Sequence, residues 1–167
     1  GIMSSKQFTG TAGGFAGSLV NGSAKDCAVT DLMSVSGVNY TGGFVGHLGK
    51  AGTVDVDNAQ VNHLLGATAG VLDVWGSHVD RSTVAGIADG YTVTSSHQGA
   101  DYGLGTNTAK GREVAGGFVG YADLARVNDC DAGNLKLVSS GEIAGGFAGE
   151  AQRAHLVETE VNSWLLD

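Results

Sequence analysis

Asp26, Asp55, Asp129 and Glu158 each stand thirteen residues after the first glycine of a Gly-Gly-Phe-x-Gly signature. Four carboxylates brought into one column would repel one another. A hard cation such as Ca²⁺, which takes clusters of oxygen ligands, is the chemistry that would relieve them. Asp57, Asp131 and Glu160 follow two positions on. No Asp-x-Asp-x-Asp-Gly run is present, and a solvated acidic face is the commoner meaning of such a column. Glu113 and Glu142, each three residues before a first glycine, form a second arrangement. On adjacent layers their carboxyls would lie about 5 Å apart, the separation used by retaining glycosidases. Any acidic residue repeated in register acquires that spacing, and no aromatic platform is evident beside the pair, so it reads as coincidence.

The other reactive side chains carry less. Cys27 and Cys130 share one repeat position but lie 103 residues apart (130 − 27). A disulfide needs Cα atoms within about 7 Å, so the two read as separate small core residues. His47, His63, His78, His97 and His155 show no metalloprotease spacing. A nucleophile elbow, a phosphate loop ending in Lys-Ser/Thr and a basic stripe are all missing.

What must position these residues is a repeat. Ala12-Gly13-Gly14-Phe15-Ala16-Gly17, Thr41-Gly42-Gly43-Phe44-Val45-Gly46, Ala115-Gly116-Gly117-Phe118-Val119-Gly120 and Ala144-Gly145-Gly146-Phe147-Ala148-Gly149 are variants of one hexapeptide. Gly13 to Gly42 and Gly116 to Gly145 are both 29 residues apart. A fixed period of this size means one supersecondary unit stacked on itself. Aligned on the first glycine, the coils place Phe15, Phe44, Phe118 and Phe147 in one column and Cys27, Val56, Cys130 and Thr159 in another. Leu32, Val61, Leu135 and Trp164 form a third, and Val35, Leu64 and Val138 a fourth. Like residues recurring at coil spacing are the interior of a parallel β-solenoid, where each side chain stacks about 4.8 Å from its counterpart. Period-2 alternation in Lys25–Val29, Val54–Asp57 and Asn128–Asp131 agrees. About three short strands per coil are expected. The signature glycines would allow positive φ or close approach of neighbouring coils.

Composition narrows the partners. The 167 residues carry 17 acidic against 9 basic side chains, a net charge of −8 that repels phosphate backbones and anionic lipid, so neither nucleic acid nor direct membrane insertion is expected. Glycine is abundant at 29 residues while proline is absent, which excludes collagen and Pro-rich linkers. A chain opening Gly1-Ile2-Met3-Ser4 and closing Trp164-Leu165-Leu166-Asp167 reads as a fragment of something longer.

The Gly-Gly-Phe-Val-Gly cores at 42–46 and 116–120, in a repeat just under thirty residues long, resemble the GLUG-type repeat of large bacterial surface and secreted proteins, including some immunoglobulin A proteases. The resemblance covers roughly residues 9–65 and 112–167. It implies a secreted, right-handed β-helical segment at the cell surface or wall, and it implies no catalytic role. Residues 66–111 carry no intact signature. Within them Arg81-Ser82-Thr83-Val84 and Ile87 lay over Asp26-Cys27-Ala28-Val29 and Leu32, as a degenerate coil. The run 95–112 reads as an inserted loop, and long loops on rigid scaffolds are where binding resides. Trp75, His78, Tyr91, His97, Asp101 and Tyr102 are accordingly the expected recognition patch for a host protein or glycan.

The whole is expected to be one all-β solenoid domain, 1–167, monomeric as an isolated domain, with a structural and adhesive role. A polysaccharide lyase or glycosidase built on a β-helix is the alternative, but the nine basic residues are scattered and form no catalytic set.

Overall fold

The structure, a computed structural model, describes residues 10–49, 76–96 and 112–163. Strands are the only regular elements among them, and every strand pairing is parallel. The first coil holds β1 (Thr11–Gly13), β2 (Ala16–Val20), β3 (Ser23–Lys25), β4 (Ala28–Leu32) and β5 (Ser34–Gly37). The second holds β6 (Tyr40–Gly42), β7 (Val45–Gly49), β8 (Ser77–Asp80), β9 (Thr83–Gly86) and β10 (Tyr91–Ser95). The third holds β11 (Val114–Gly116), β12 (Val119–Asp123) and β13 (Ala125–Ser140), and the fourth β14 (Ile143–Gly145), β15 (Ala148–Gln152) and β16 (His155–Ser163). One sheet runs β1-β6-β11-β14 and another β2-β7-β12-β15; β3 to β5, β8 to β10, β13 and β16 make the third. Parallel strands in stacked sheets are the architecture of a parallel β-helix.

Each signature spans the end of one strand, a corner and the start of the next. β1 ends on Gly13 and β2 begins at Ala16, with Gly14-Phe15 turning between them. Successive phenylalanines lie face to face across the coils, with centroids 4.7 Å apart for Phe15–Phe44, 4.8 Å for Phe44–Phe118 and 4.8 Å for Phe118–Phe147. Phe44 and Phe118 are fully buried, together with Val45, Val119, Val79, Val93 and Val127. This is the apolar column the repeat requires, and its burial is the main stabilising term of a stack.

The two glycine roles left open by the sequence resolve to close approach. Among the described residues Gly90 is the one glycine with positive φ, at 85°. A Cβ on Gly43 would fall on the carbonyl oxygen of Gly117, and one on Gly117 on that of Gly146. The left-handed corners fall instead to other residues at every fifth position: Asn21, Asp26 and Asp31 in the first coil, Leu124, Asp129 and Asn134 in the third, and Arg153 and Glu158 in the fourth. Asn and Asp enter this conformation more readily than other L-residues, because their short polar side chains bond locally.

The second coil departs from the 29-residue count. After β7 its strands come from 77–95, and residues 50–75 fall between β7 and β8. Ala28 pairs with Thr83 and Val29 with Val84, and the N–H of Ile87 donates to Leu32 O (3.0 Å). That is the register of the Arg81–Val84 overlay. Val93 lies between Val35 and Val138, where counting from Gly42 put Leu64. Ser82 takes the place given to Val56, its hydroxyl accepting from Cys27 N–H (3.2 Å). The count failed because a fixed period reads straight through an insertion.

Candidate functional site

The acidic column changes character once the second coil is in register. Its left-handed corner position carries Asp26, Arg81, Asp129 and Glu158, at φ 56°, 44°, 55° and 52°. Asp55 lies outside the described residues. Arg81 makes a two-pronged contact with Asp26, Nε to Oδ1 at 2.8 Å and Nη2 to Oδ2 at 3.2 Å. This hydrogen bond holds the Asp26 carboxyl below the ordinary range. A guanidinium therefore stands where the calcium reading needed a fourth carboxylate. Among the described residues no three His, Cys, Asp or Glu side chains converge to hold a metal. Two residues beyond Asp129 in β13, like charges do face each other, where Asp131 pairs in register with Glu160 of β16. Burial, then the charges of Glu160 and Asp129, raise the Asp131 pKa.

The position after each left-handed corner has a chemistry the sequence reading missed. Cys27 Sγ donates to Lys25 O (3.4 Å), Ser82 Oγ to Asp80 O (3.0 Å) and Cys130 Sγ to Asn128 O (3.3 Å). Each side chain reaches back two residues to a carbonyl turned aside by the corner. A small S–H or O–H donor, and not mere size, is what this column selects. Both cysteines are free thiols, and burial pushes Cys130 up to about 11.

Glu113 and Glu142 do lie on adjacent coils, since Ile143 N–H donates to Glu113 O (3.1 Å). Their environments differ: Glu113 is 6% exposed with its carboxylate over Gly141, while Glu142 is exposed.

Of the expected recognition patch, Tyr91 and His78 lie among the described residues. Trp75, His97, Asp101 and Tyr102 lie outside the described residues. Tyr91 belongs to the core: it is fully buried, and its hydroxyl donates to Gly117 O at 2.6 Å. Burial raises its pKa, so the phenol keeps the proton that this bond needs. His78 is half-buried in β8, beside Ser23 on one side and Arg126 on the other.

A different set converges on the surface of the second sheet. Tyr40 opens β6, His47 faces outward from the middle of β7, and Tyr121 is its in-register neighbour in β12. The Tyr40 and Tyr121 rings stack at 4.9 Å and 19°, and His47 leans on both, with centroids 5.6 and 5.5 Å away. All three are half-buried. Around them Arg153 pairs with Asp123 (2.5 Å) and Arg112 with Glu150 (2.5 Å). Gln152 Nε2 donates to Glu150 Oε1 (2.8 Å), and the Tyr121 hydroxyl lies 3.4 Å from Gln152 Oε1. Burial lowers the His47 pKa against the opposing pull of Asp123, so the imidazole is neutral at pH 7. Two guanidiniums cancel two carboxylates, leaving an aromatic face without net charge on a molecule of net charge −8.

No family model, curated protein or solved structure matches this chain.

Sequence reading missed the face because Tyr40 and Tyr121 occupy different repeat positions. Tyr40 sits two before its first glycine and Tyr121 five after. The available signal was a departure from the repeat: the Tyr121 column otherwise holds Ser18, His47 and Glu150.

Proposed function

We propose that this chain is a non-catalytic structural and adhesive segment of a bacterial cell-surface protein: a right-handed β-helix with coils of about 29 residues that acts as a stiff spacer and binds a glycan on the Tyr40–His47–Tyr121 face. The signature's similarity to GLUG-type repeats supports the extracellular setting. The observation that carries the binding role is the charge-balanced aromatic face. Tyrosine offers an apolar ring and a polar tip, the combination favoured where a partner must be both packed and hydrogen-bonded. Fixed carboxylate, amide and guanidinium groups around the rings match the vicinal hydroxyls of an uncharged sugar, and pairing within the protein holds them in place. The half-buried rings are held on strands of two stacked sheets, β6 in one and β7 and β12 in the other, so little conformational entropy is lost on binding.

A screen of the purified chain against glycans and matrix proteins tests this, with Tyr121→Ala and a variant lacking 97–111, which keeps Ser95 of β10 and Arg112 of the face, run beside it. The proposal expects a sugar ligand that Tyr121→Ala loses at least tenfold while its melting temperature stays within a few degrees. Binding that depends on 97–111 and ignores Tyr121 would move the site to the loop. A folded protein that binds nothing would leave the spacer role alone.

A further inference from the structure

The sequence holds four arginines, and three of them are tied to carboxylates: Arg81 to Asp26, Arg112 to Glu150 and Arg153 to Asp123. Arg126 is the exception, since among the described residues no carboxylate pairs with it. Its Nε is buried and has no hydrogen-bond partner among them. A buried donor in that state costs free energy, and this one belongs to a planar fork of N–H groups that carries no acceptor of its own. The strand sets where the fork points. Ala125 and Val127, on either side in β13, are fully buried, so the period-2 alternation turns Arg126 outward. Its in-register neighbours are His78 of β8 and His155 of β16, and His78 in turn pairs with Ser23 of β3. Four parallel strands thus carry serine, histidine, arginine and histidine in one outward column, spaced about 4.8 Å apart and containing no carboxylate. The next outward column holds Lys25, Asp80, Asn128 and Val157, one base beside one acid. His78 and His155 make contacts of their own, so the unmet demand in the column is that of Arg126.

We infer that Arg126 is the centre of a binding site for a tetrahedral oxyanion, a sulfate or phosphate group, on the outer surface of the third sheet. A guanidinium fork takes two oxygens of such a group at once, whereas an ammonium acts as a point charge. A tetrahedral ion seated on the fork keeps further oxygens for the strands on either side, where His78 and His155 flank it and carboxylates are absent from the column. The molecule carries −8, so its overall field opposes an approaching anion. Selectivity therefore comes from the short-range hydrogen bonds of the fork, and chloride, which cannot span it, is a poor substitute. The site lies on β3, β8, β13 and β16, whereas Tyr40, His47 and Tyr121 lie on β6, β7 and β12, and it rests on no part of the glycan reading.

Isotope-edited NMR reads the site at the atom concerned, because an arginine Nε–H gives its own resonance. Sodium sulfate and sodium phosphate are titrated separately, each against sodium chloride at matched ionic strength. The expected result is a saturable shift of the Arg126 Nε–H with sulfate or phosphate, joined by the backbone amides of His78, Arg126 and His155, and only a small unsaturating drift with chloride. Arg126→Gln leaves the core untouched and weakens binding by about tenfold or more. Arg126→Lys keeps the charge but loses the fork, and weakens it nearly as much. A sulfated monosaccharide titrated beside the free ion separates the two sources: tighter binding assigns the site to a sulfated glycan, and equal binding assigns it to the ion alone. Shifts that match those in chloride, or saturable binding that Arg126→Gln retains in full, would overturn the inference, whatever the glycan screen at Tyr121 returns.

Discussion

Ser82 does at one atom what a hydrophobic residue of its volume cannot. It is fully buried, donates to Asp80 O and accepts from Cys27 N–H, so its hydroxyl closes a corner and ties two coils together. Ser82→Ala leaves both backbone groups without this partner, a loss of about 1–3 kcal/mol for a buried site. Chemical denaturation should show it as a lower midpoint at unchanged slope, with Ser82→Cys closer to wild type because thiols make the same contact at Cys27 and Cys130. Asp131 gives a pH signature of the opposite sign to an ordinary ion-paired carboxylate. Its folded pKa is raised above the ordinary 3.8 by burial, Glu160 and Asp129. As pH rises past 3.8 the unfolded chain releases this proton before the folded one does, so the residue destabilises the fold from there through neutral pH. Asp131→Asn should raise the melting temperature at pH 7, with the gain disappearing below pH 3.8. A gain of the same size at both pH values would remove charge repulsion as its cause.

At the scale of the element, the stacked phenylalanines rank the coils. Phe118 has a ring on each side and no exposed surface, so Phe118→Ala should cost about 3–5 kcal/mol. Phe15 has one ring neighbour and is 47% exposed, and its truncation should cost roughly half as much. Glu142→Ala, at an exposed corner, should leave the midpoint nearly unchanged. Equal effects at all three positions, measured by denaturation, would contradict the layered core. This column was legible in the sequence because a parallel stack demands the same residue at the same place in each layer. The phase of the second layer was not legible from the period: strands 77–95 complete it, and only the local match of Arg81–Val84 to Asp26–Val29 pointed there. The neighbour of Asp26 changed with that phase, since Arg81 pairs with it where the count had placed Asp55.

Seen as a whole molecule, the described residues form two well-covered inner coils between two less covered ones, and the Tyr40–His47–Tyr121 aromatic face lies where the inner coils meet. That face was invisible in the sequence for a physical reason. Repeats advertise what every layer shares, whereas Tyr40, His47 and Tyr121 meet through side chains that no other layer repeats. Tyr91 was misread for the complementary reason: a tyrosine outside the signatures looks available, but here it fills the core and satisfies Gly117 O. The account stands on the second coil being built from β6 to β10, because that placement sets the register of the corners, the burial of Tyr91 and the neighbours of the aromatic face. Hydrogen exchange read by mass spectrometry tests it directly, since amides paired on both sides in a buried sheet open only with the larger unfolding events. Peptides covering 77–95 should be protected as strongly as those covering β11 and β12, and more strongly than β1 to β5 at the open edge. Rapid exchange across 77–95, at the rate of unstructured chain, would contradict the account.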